Sequence, residues 1–277
     1  MHRVTLPPEE FVKETIEIVK KAQEKGIIIR ILGALAVYIH SSHDNEALEL
    51  FNKLKRLEGG LIFTDLDLIA YSKQRKEIMD FFEKTLGFKC DPYVKALFGG
   101  RRLIYYHPKN LYHVDIFFDK LEFSHDIYFG EKPGAGSLEL DFPTISLAHI
   151  VLEKLQIHKI NWKDLVDLAV LFKAHKLCGE IGEKNKECID EEVIASILCD
   201  DWGFWYDAVN NLNKLKQILD NAVKEGKINS EIANIIQTRI DKLLNYIDSK
   251  PKTKNWIKRS KIGTSKPWYR EVEELER

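Results

Sequence analysis

Apolar residues in the first half of the chain switch repeatedly between a spacing of three to four and a spacing of two, and each switch predicts a new element. Pro7-Pro8-Glu9-Glu10 reads as a helix start, with Phe11, Ile16, Ile18, Val19 and Ala22 on one face and Gly26 closing it. The β-branched run 27–32 predicts a buried strand, from which Gly33-Ala34 leads into a second helix over 33–40. Gly59-Gly60 then breaks the chain before 61–71, where Leu66, Leu68 and Ala70 alternate with Asp65, Asp67 and Ile69 as in a strand. Residues 74–86 return to helical spacing and end at Gly87. The stretches 94–98, 103–106 and 112–118 are rich in β-formers, and Gly99-Gly100 and His107-Pro108-Lys109-Asn110 separate them, which predicts antiparallel hairpins. From Ser146 onward the spacing is helical, through Leu147, Ile150, Val151, Lys154 and Leu155, with further helices predicted near 162–175, 190–201, 205–224 and 229–248.

The pattern therefore describes an α/β (α+β) unit with a mixed sheet and flanking helices over residues 1–143, a helical domain over 144–249, and a tail over 250–277. A chain of 277 residues with 44% hydrophobic positions is long and apolar enough for two modest cores. Its 42 basic and 43 acidic residues nearly cancel, so a polyanion partner would need local clustering. No apolar run reaches the roughly 18 residues that span a bilayer, which predicts a soluble protein with no membrane partner. The polar opening and the absence of C-x-x-C spacing among Cys90, Cys178, Cys188 and Cys199 point to a cytoplasmic, reducing location with ordinary thiols. His107, His113, His125, His149 and His158 lack metal-ligand spacing, and no G-x-S-x-G nucleophile signature is present.

Chemistry is sought where acids interrupt apolar strands. Strand residues two apart share a face, so Asp65 and Asp67 project side by side while Leu66 and Leu68 turn to the core. Two carboxylates in one small volume repel unless a cation neutralises them or one holds a proton, and a hard divalent ion such as Mg2+ or Mn2+ suits them. Asp115, in His113-Val114-Asp115-Ile116-Phe117, interrupts another apolar strand, and pairing of the two strands would bring it to the same place. Glu139-x-Asp141 shows the same alternation without that context.

In this order of pieces, a strand into Gly33-Ala34 at a helix start, Asp65-x-Asp67 on a second strand and Asp115 on a later one, the chain resembles the nucleotidyltransferase superfamily over roughly residues 25–175. Within it the likeness is to the AbiEii-like and uncharacterised bacterial and archaeal branch. There a segment such as Asp141-Phe142-Pro143-Thr144-Ile145 leads to a helix lysine, here Lys154, and to an Asp-x-x-Asp-Leu segment, here Asp164-Leu165-Val166-Asp167-Leu168. The resemblance implies a magnesium-dependent (or manganese-dependent) nucleotidyltransferase that moves a nucleoside monophosphate from an NTP to a hydroxyl of RNA, protein or a small molecule, in a toxin-like role. It implies Asp65, Asp67 and Asp115 as the metal-binding and catalytic acids, Gly33 and Ala34 at the phosphates, and Lys154 at the triphosphate. Ala34 stands where the family usually has serine or glycine, which leaves phosphate contact to backbone N–H groups at a helix N-terminus.

Asp164 and Asp167, on one helix face, are expected to orient Lys154 or cap the helix after Asn161. Arg101-Arg102 is read as a solvated loop pair and Trp202, Phe204, Trp205 and Tyr206 as core. The stretch 250–270 carries eight basic and no acidic residues, interleaved with Trp256, Trp268 and Tyr269, a composition suited to unpaired RNA. It also suits a solvated or subunit-binding tail, or one on which Glu271, Glu273, Glu274 and Glu276 fold back. Two alternatives to catalysis stay open: a catalytically inactive nucleotide- or nucleic-acid-binding protein of the same fold, and an antitoxin-like module whose helical half binds a partner protein.

Overall fold

The computed structural model describes residues 4–57, 62–182 and 185–272. Helix α1 (Pro8–Glu24) begins with proline in its first turn, where no N–H is needed, and buries Phe11, Ile18, Val19 and Ala22. Gly26, at φ +73°, reverses the chain into β1 (Ile29–Ile31), and α2 (Gly33–Ser41) follows. Helix α3 (Asn45–Lys53) was not expected; the Asp44 carboxylate caps it by accepting the Ala47 N–H. Strand β2 (Leu66–Ala70) occupies the end of the expected 61–71 run, whose first residue lies outside the described residues, as do Gly59 and Gly60. Next come α4 (Arg75–Asp80), continued by a π-helical turn at Phe81–Thr85, and the short strand β3 (Lys89–Cys90).

The strand expected at 94–98 is instead helix α5 (Pro92–Phe98). Asp91 accepts the N–H groups of Tyr93 and Val94, and Pro92 fills the first helical position, so capping overrides the β-forming side chains. Strands β4 (Arg102–Tyr106) and β5 (His113–Phe118) and a small hairpin, β6 (Lys120–Glu122) with β7 (Asp126–Tyr128), complete the β structure. The main sheet has the order β1-β2-β5-β4-β3, with β2 and β5 parallel and every other neighbouring pair antiparallel. Thr144 bridges Ile31 and so extends the β1 edge where the first half hands over to the second.

Helices α6 (Leu147–Leu155), α7 (Trp162–Ala174), α8 (Cys178–Ile181), α9 (Glu191–Leu198), α10 (Trp202–Lys224) and α11 (Ser230–Ser249) make up the second half. The protein is thus mixed α/β, with a small mixed sheet and many helices. One apolar cluster runs through both halves from Val4 to Ile247, and α2 packs against β2, α6 and α7. Trp202 and Phe204 are buried, in line with a core role, while Trp205 packs partly buried against the core. No helix among the described residues is long and apolar enough to cross a membrane.

Two expectations need correction. Cys178 and Cys188 are joined by a disulfide rather than standing as thiols, because α8 and the loop after it return the chain to within 5.0 Å between Cα atoms. The tail is structured, with much of its surface exposed to solvent: it forms α12 (Lys254–Ser260), Arg259 donates to the carbonyls of Gly263, Lys266 and Pro267, and Trp268 Nε1 donates to buried Asp207. Lys250 pairs with Glu192 and Arg270 with Asp126, while Glu273, Glu274 and Glu276 lie outside the described residues.

His149 on α6 is buried beside Phe129, with Nδ1 2.8 Å from Ser146 Oγ, and burial pushes its pKa down to about 4. The unfolded chain therefore binds a proton here between pH 6.5 and 4 that the fold refuses, so stability falls as pH drops through that window. Going from pH 7 to 5 is expected to cost about 2 kcal/mol at this residue. Urea unfolding at the two pH values should show His149→Gln losing correspondingly less than the native chain; an equal loss in both would contradict the assignment.

Candidate active site

Register does most of the assembly. Parallel pairing of β2 with β5 sets Asp67 opposite Asp115, and in-register residues of neighbouring strands point to the same face, with backbones roughly 4.8 Å apart. Continuing the register one step places Asp65 beside His113, whose Nε2 lies 3.5 Å from Asp65 Oδ2. Apolar Leu66 and Leu68 are fully buried on the opposite face, which fixes the direction of the acids. Asp65, Asp67 and Asp115 are therefore on one face of two adjacent strands.

Gly33 approaches this face from β1. Its φ is +73°, and a Cβ built on it would stand 2.7 Å from Asp67 Oδ2, so glycine is required both by conformation and by close approach. The Gly33 N–H opens α2 and would suit an anion, and an anion is there: Glu153 Oε2 on α6 accepts it at 3.0 Å. Ala34 is partly buried against the core.

Lys154, next to Glu153, is buried with its ammonium 3.2 Å from Glu153 Oε1, 3.2 Å from Asp164 Oδ1 and 3.3 Å from Asp167 Oδ2. Asp167 also receives a two-pronged contact from Arg56, Nε to Oδ1 at 2.5 Å and Nη2 to Oδ2 at 3.0 Å. Asn161 caps α7 by accepting the Asp164 N–H, and the Asp164 and Asp167 carboxylates hold Lys154. Burial would lower the Lys154 pKa, but Glu153, Asp164 and Asp167 together hold it well above the usual lysine range. This ammonium is held by three carboxylates.

The acids differ in their environments. Burial tends to raise the Asp65 pKa, but hydrogen bonds from His113 and Thr64 hold it below the usual carboxylate range. Asp67 is pushed well above that range by burial and then by the charges of Asp65, Asp115 and Glu153, and its carboxyl accepts no hydrogen bond among the described residues. On Asp115 both oxygens are taken by the fork of Arg102, Nε to Oδ1 at 2.6 Å and Nη2 to Oδ2, with the guanidinium carbon 5.1 Å from the Phe117 ring centre. As the side chains stand, no three His, Cys, Asp or Glu groups among the described residues surround a common point. Two cavities of about 310 and 320 Å³ lie elsewhere, between the β6–β7 hairpin and the tail and between α10 and α11.

Comparison with protein-family models, with curated proteins and with solved structures finds no match for this chain.

Sequence reading passed over Arg102, Glu153 and Arg56. Arg102, expected with Arg101 to be a solvated loop pair, begins β4 in alternation with Ile104, the residue paired to Asp115, and that period places it on the acid face. Arg101 is exposed, as expected. Glu153 precedes Lys154 on a helix buried throughout, where a lone lysine requires a partner. Nothing in the sequence singles out Arg56.

Lys154→Met should leave the buried carboxylates of Glu153 and Asp167, and the half-buried one of Asp164, without their ammonium, Arg56 remaining on Asp167. Loss of roughly 3–5 kcal/mol in urea unfolding is expected. A change under 1 kcal/mol would show that the ammonium is not holding α6 and α7 together.

Proposed function

We propose that the acid face is the centre of a magnesium-dependent nucleotidyltransferase, the nucleotidyltransferase-like fold being carried by β1, β2, β5 and α2. The observation that supports this reading most is the in-register adjacency of Asp67 and Asp115, with Asp65 two residues before Asp67 and the Gly33 turn against its carboxylate. The donors fit the ion: they are all carboxylate oxygens, the set a hard divalent cation takes, and Asp67 is a carboxyl without a hydrogen-bond partner among the described residues, crowded by three other acids. Bound there, Mg2+ or Mn2+ would supply charge neutralisation for a triphosphate and its leaving group.

Asp65, Asp67 and one oxygen of Asp115 would hold the cation, and the other oxygen of Asp115, once released from Arg102, would take the proton of an acceptor hydroxyl. The hydroxyl oxygen forms a bond to the α-phosphorus as the bond from that phosphorus to the bridging oxygen breaks, and pyrophosphate leaves with the electron pair. The Glu153 contact at Gly33 gives this end of α2 a carboxylate that a phosphate would have to displace or adjoin. That contact, with the Arg102 fork, favours one second reading, a catalytically silent nucleotide binder of the same fold. RNA is retained as an acceptor class through the exposed part of the tail, Lys254, Lys258 and Lys261, since Lys250, Arg259 and Arg270 are held internally.

Incubation with each α-labelled NTP, Mg2+ and total RNA or protein tests the reading. Label should pass to an acceptor with the native chain and fall by at least roughly a hundred-fold in Asp65→Asn and Asp67→Asn, the scale of losing a charge-stabilising group in a transition state. Transfer retained in both variants refutes the metal role, and nucleotide binding without transfer supports the silent binder.

A further inference from the structure

We infer that Arg102 is a displaceable stand-in for the cation at Asp115, and that the same guanidinium, once displaced, becomes a ligand for the nucleotide's phosphates. The inference rests on the acid-face reading above and goes beyond it by assigning a role to a residue outside the acid cluster.

Asp115 and Asp67 are strand neighbours, but their electrostatic states differ because of Arg102. Its fork covers both Asp115 oxygens, while Asp67 has no hydrogen-bond partner among the described residues. A divalent ion held by these acids would need an Asp115 oxygen, so ion and guanidinium would compete for the charge of the same carboxylate. The surroundings fit a guanidinium that moves. Its side chain is 29% exposed, against 5% for Asp115, so it leaves toward solvent without opening the core. Phe117, in register opposite Arg102 on β5, offers a ring face 5.1 Å from the guanidinium carbon, an anchor that does not depend on Asp115.

Charge balance sets the order of events. With Arg102 withdrawn and nothing in its place, Asp67, Asp115 and Glu153 would face one another with the buried Lys154 already shared among three carboxylates, while His113 serves Asp65. Arg102 therefore stays until a cation replaces it, and the freed guanidinium then lacks a counter-ion. The oxygens of a triphosphate provide one in bidentate geometry. Metal and nucleotide are coupled through one side chain, which opposes the metal when alone and favours the nucleotide when metal is present.

The coupling gives effects of opposite sign in one variant. Mn2+ binding to the full-length protein, read from the free-ion EPR signal, should be roughly ten-fold tighter in Arg102→Met than in the native chain. Binding of a fluorescent ATP analogue at saturating Mg2+ should be roughly ten-fold weaker in the same variant. Arg101→Met, which removes an exposed neighbouring charge, should change neither by more than about two-fold, separating the specific contact from a general change in charge. Should Arg102→Met not fold, Arg102→Lys serves: a single ammonium cannot cover both oxygens, so metal should still tighten and nucleotide still weaken. Both affinities falling together, or neither changing in a folded variant, overturns the inference. Opposite shifts without any nucleotidyl transfer would uphold Arg102's role while the transfer reading fails.

Discussion

Parallel pairing between β2 and β5 is the constraint on which the rest depends. It fixes Asp67 beside Asp115, and two carboxylates on neighbouring strands must be compensated. The protein compensates them unequally. Arg102 pairs with Asp115, His113 and Thr64 hold Asp65 in its charged form, and Asp67 is left with a raised pKa and no hydrogen-bond partner among the described residues. One uncompensated acid thus lies beside two compensated ones, and this asymmetry adds to the strand adjacency in support of the proposed metal-dependent role.

A second ionic layer lies between this face and the helical half. Glu153 joins the start of α2 to α6, Lys154 joins α6 to α7, and Arg56 ties α7 back to the chain after α3. Such groups cannot be buried singly, since an unpaired buried charge costs several kcal/mol. Each is therefore held by at least one partner from another element, and the layer fixes how the helices sit against the acid face. Lys154, which the family resemblance put at the triphosphate, is the centre of this layer and works from behind the site.

Much of the architecture is legible in residue spacing. The Leu66, Leu68 and Ala70 alternation, the Gly33 turn and the long helices α10 and α11 stand out because period and punctuation agree. Helix α5 does not, because Val94, Leu97 and Phe98 favour a strand by side chain while Asp91-Pro92 decides for a helix by capping. Of the acid face, strand alternation places Asp65 and Asp67 on one side of β2, while Asp115 joins them only through the pairing of β2 with β5. Arg102 and Glu153 are harder, because their roles arise from which strand lies beside β5 and which helix lies against α2, and pairing order is not written in either local pattern. The Cys178–Cys188 link is hidden for the same reason: sequence shows two thiols ten residues apart, and only the turn through α8 brings them together.

A crystal of the protein soaked in Mn2+ and measured at the manganese absorption edge tests the central claim most directly. The expected result is an anomalous peak between the carboxylates of Asp67 and Asp115, within roughly 2.2 Å of an oxygen from each, with Arg102 turned away from Asp115. A map with no peak on this face while Arg102 keeps its fork on Asp115, or with manganese bound only elsewhere, would contradict it.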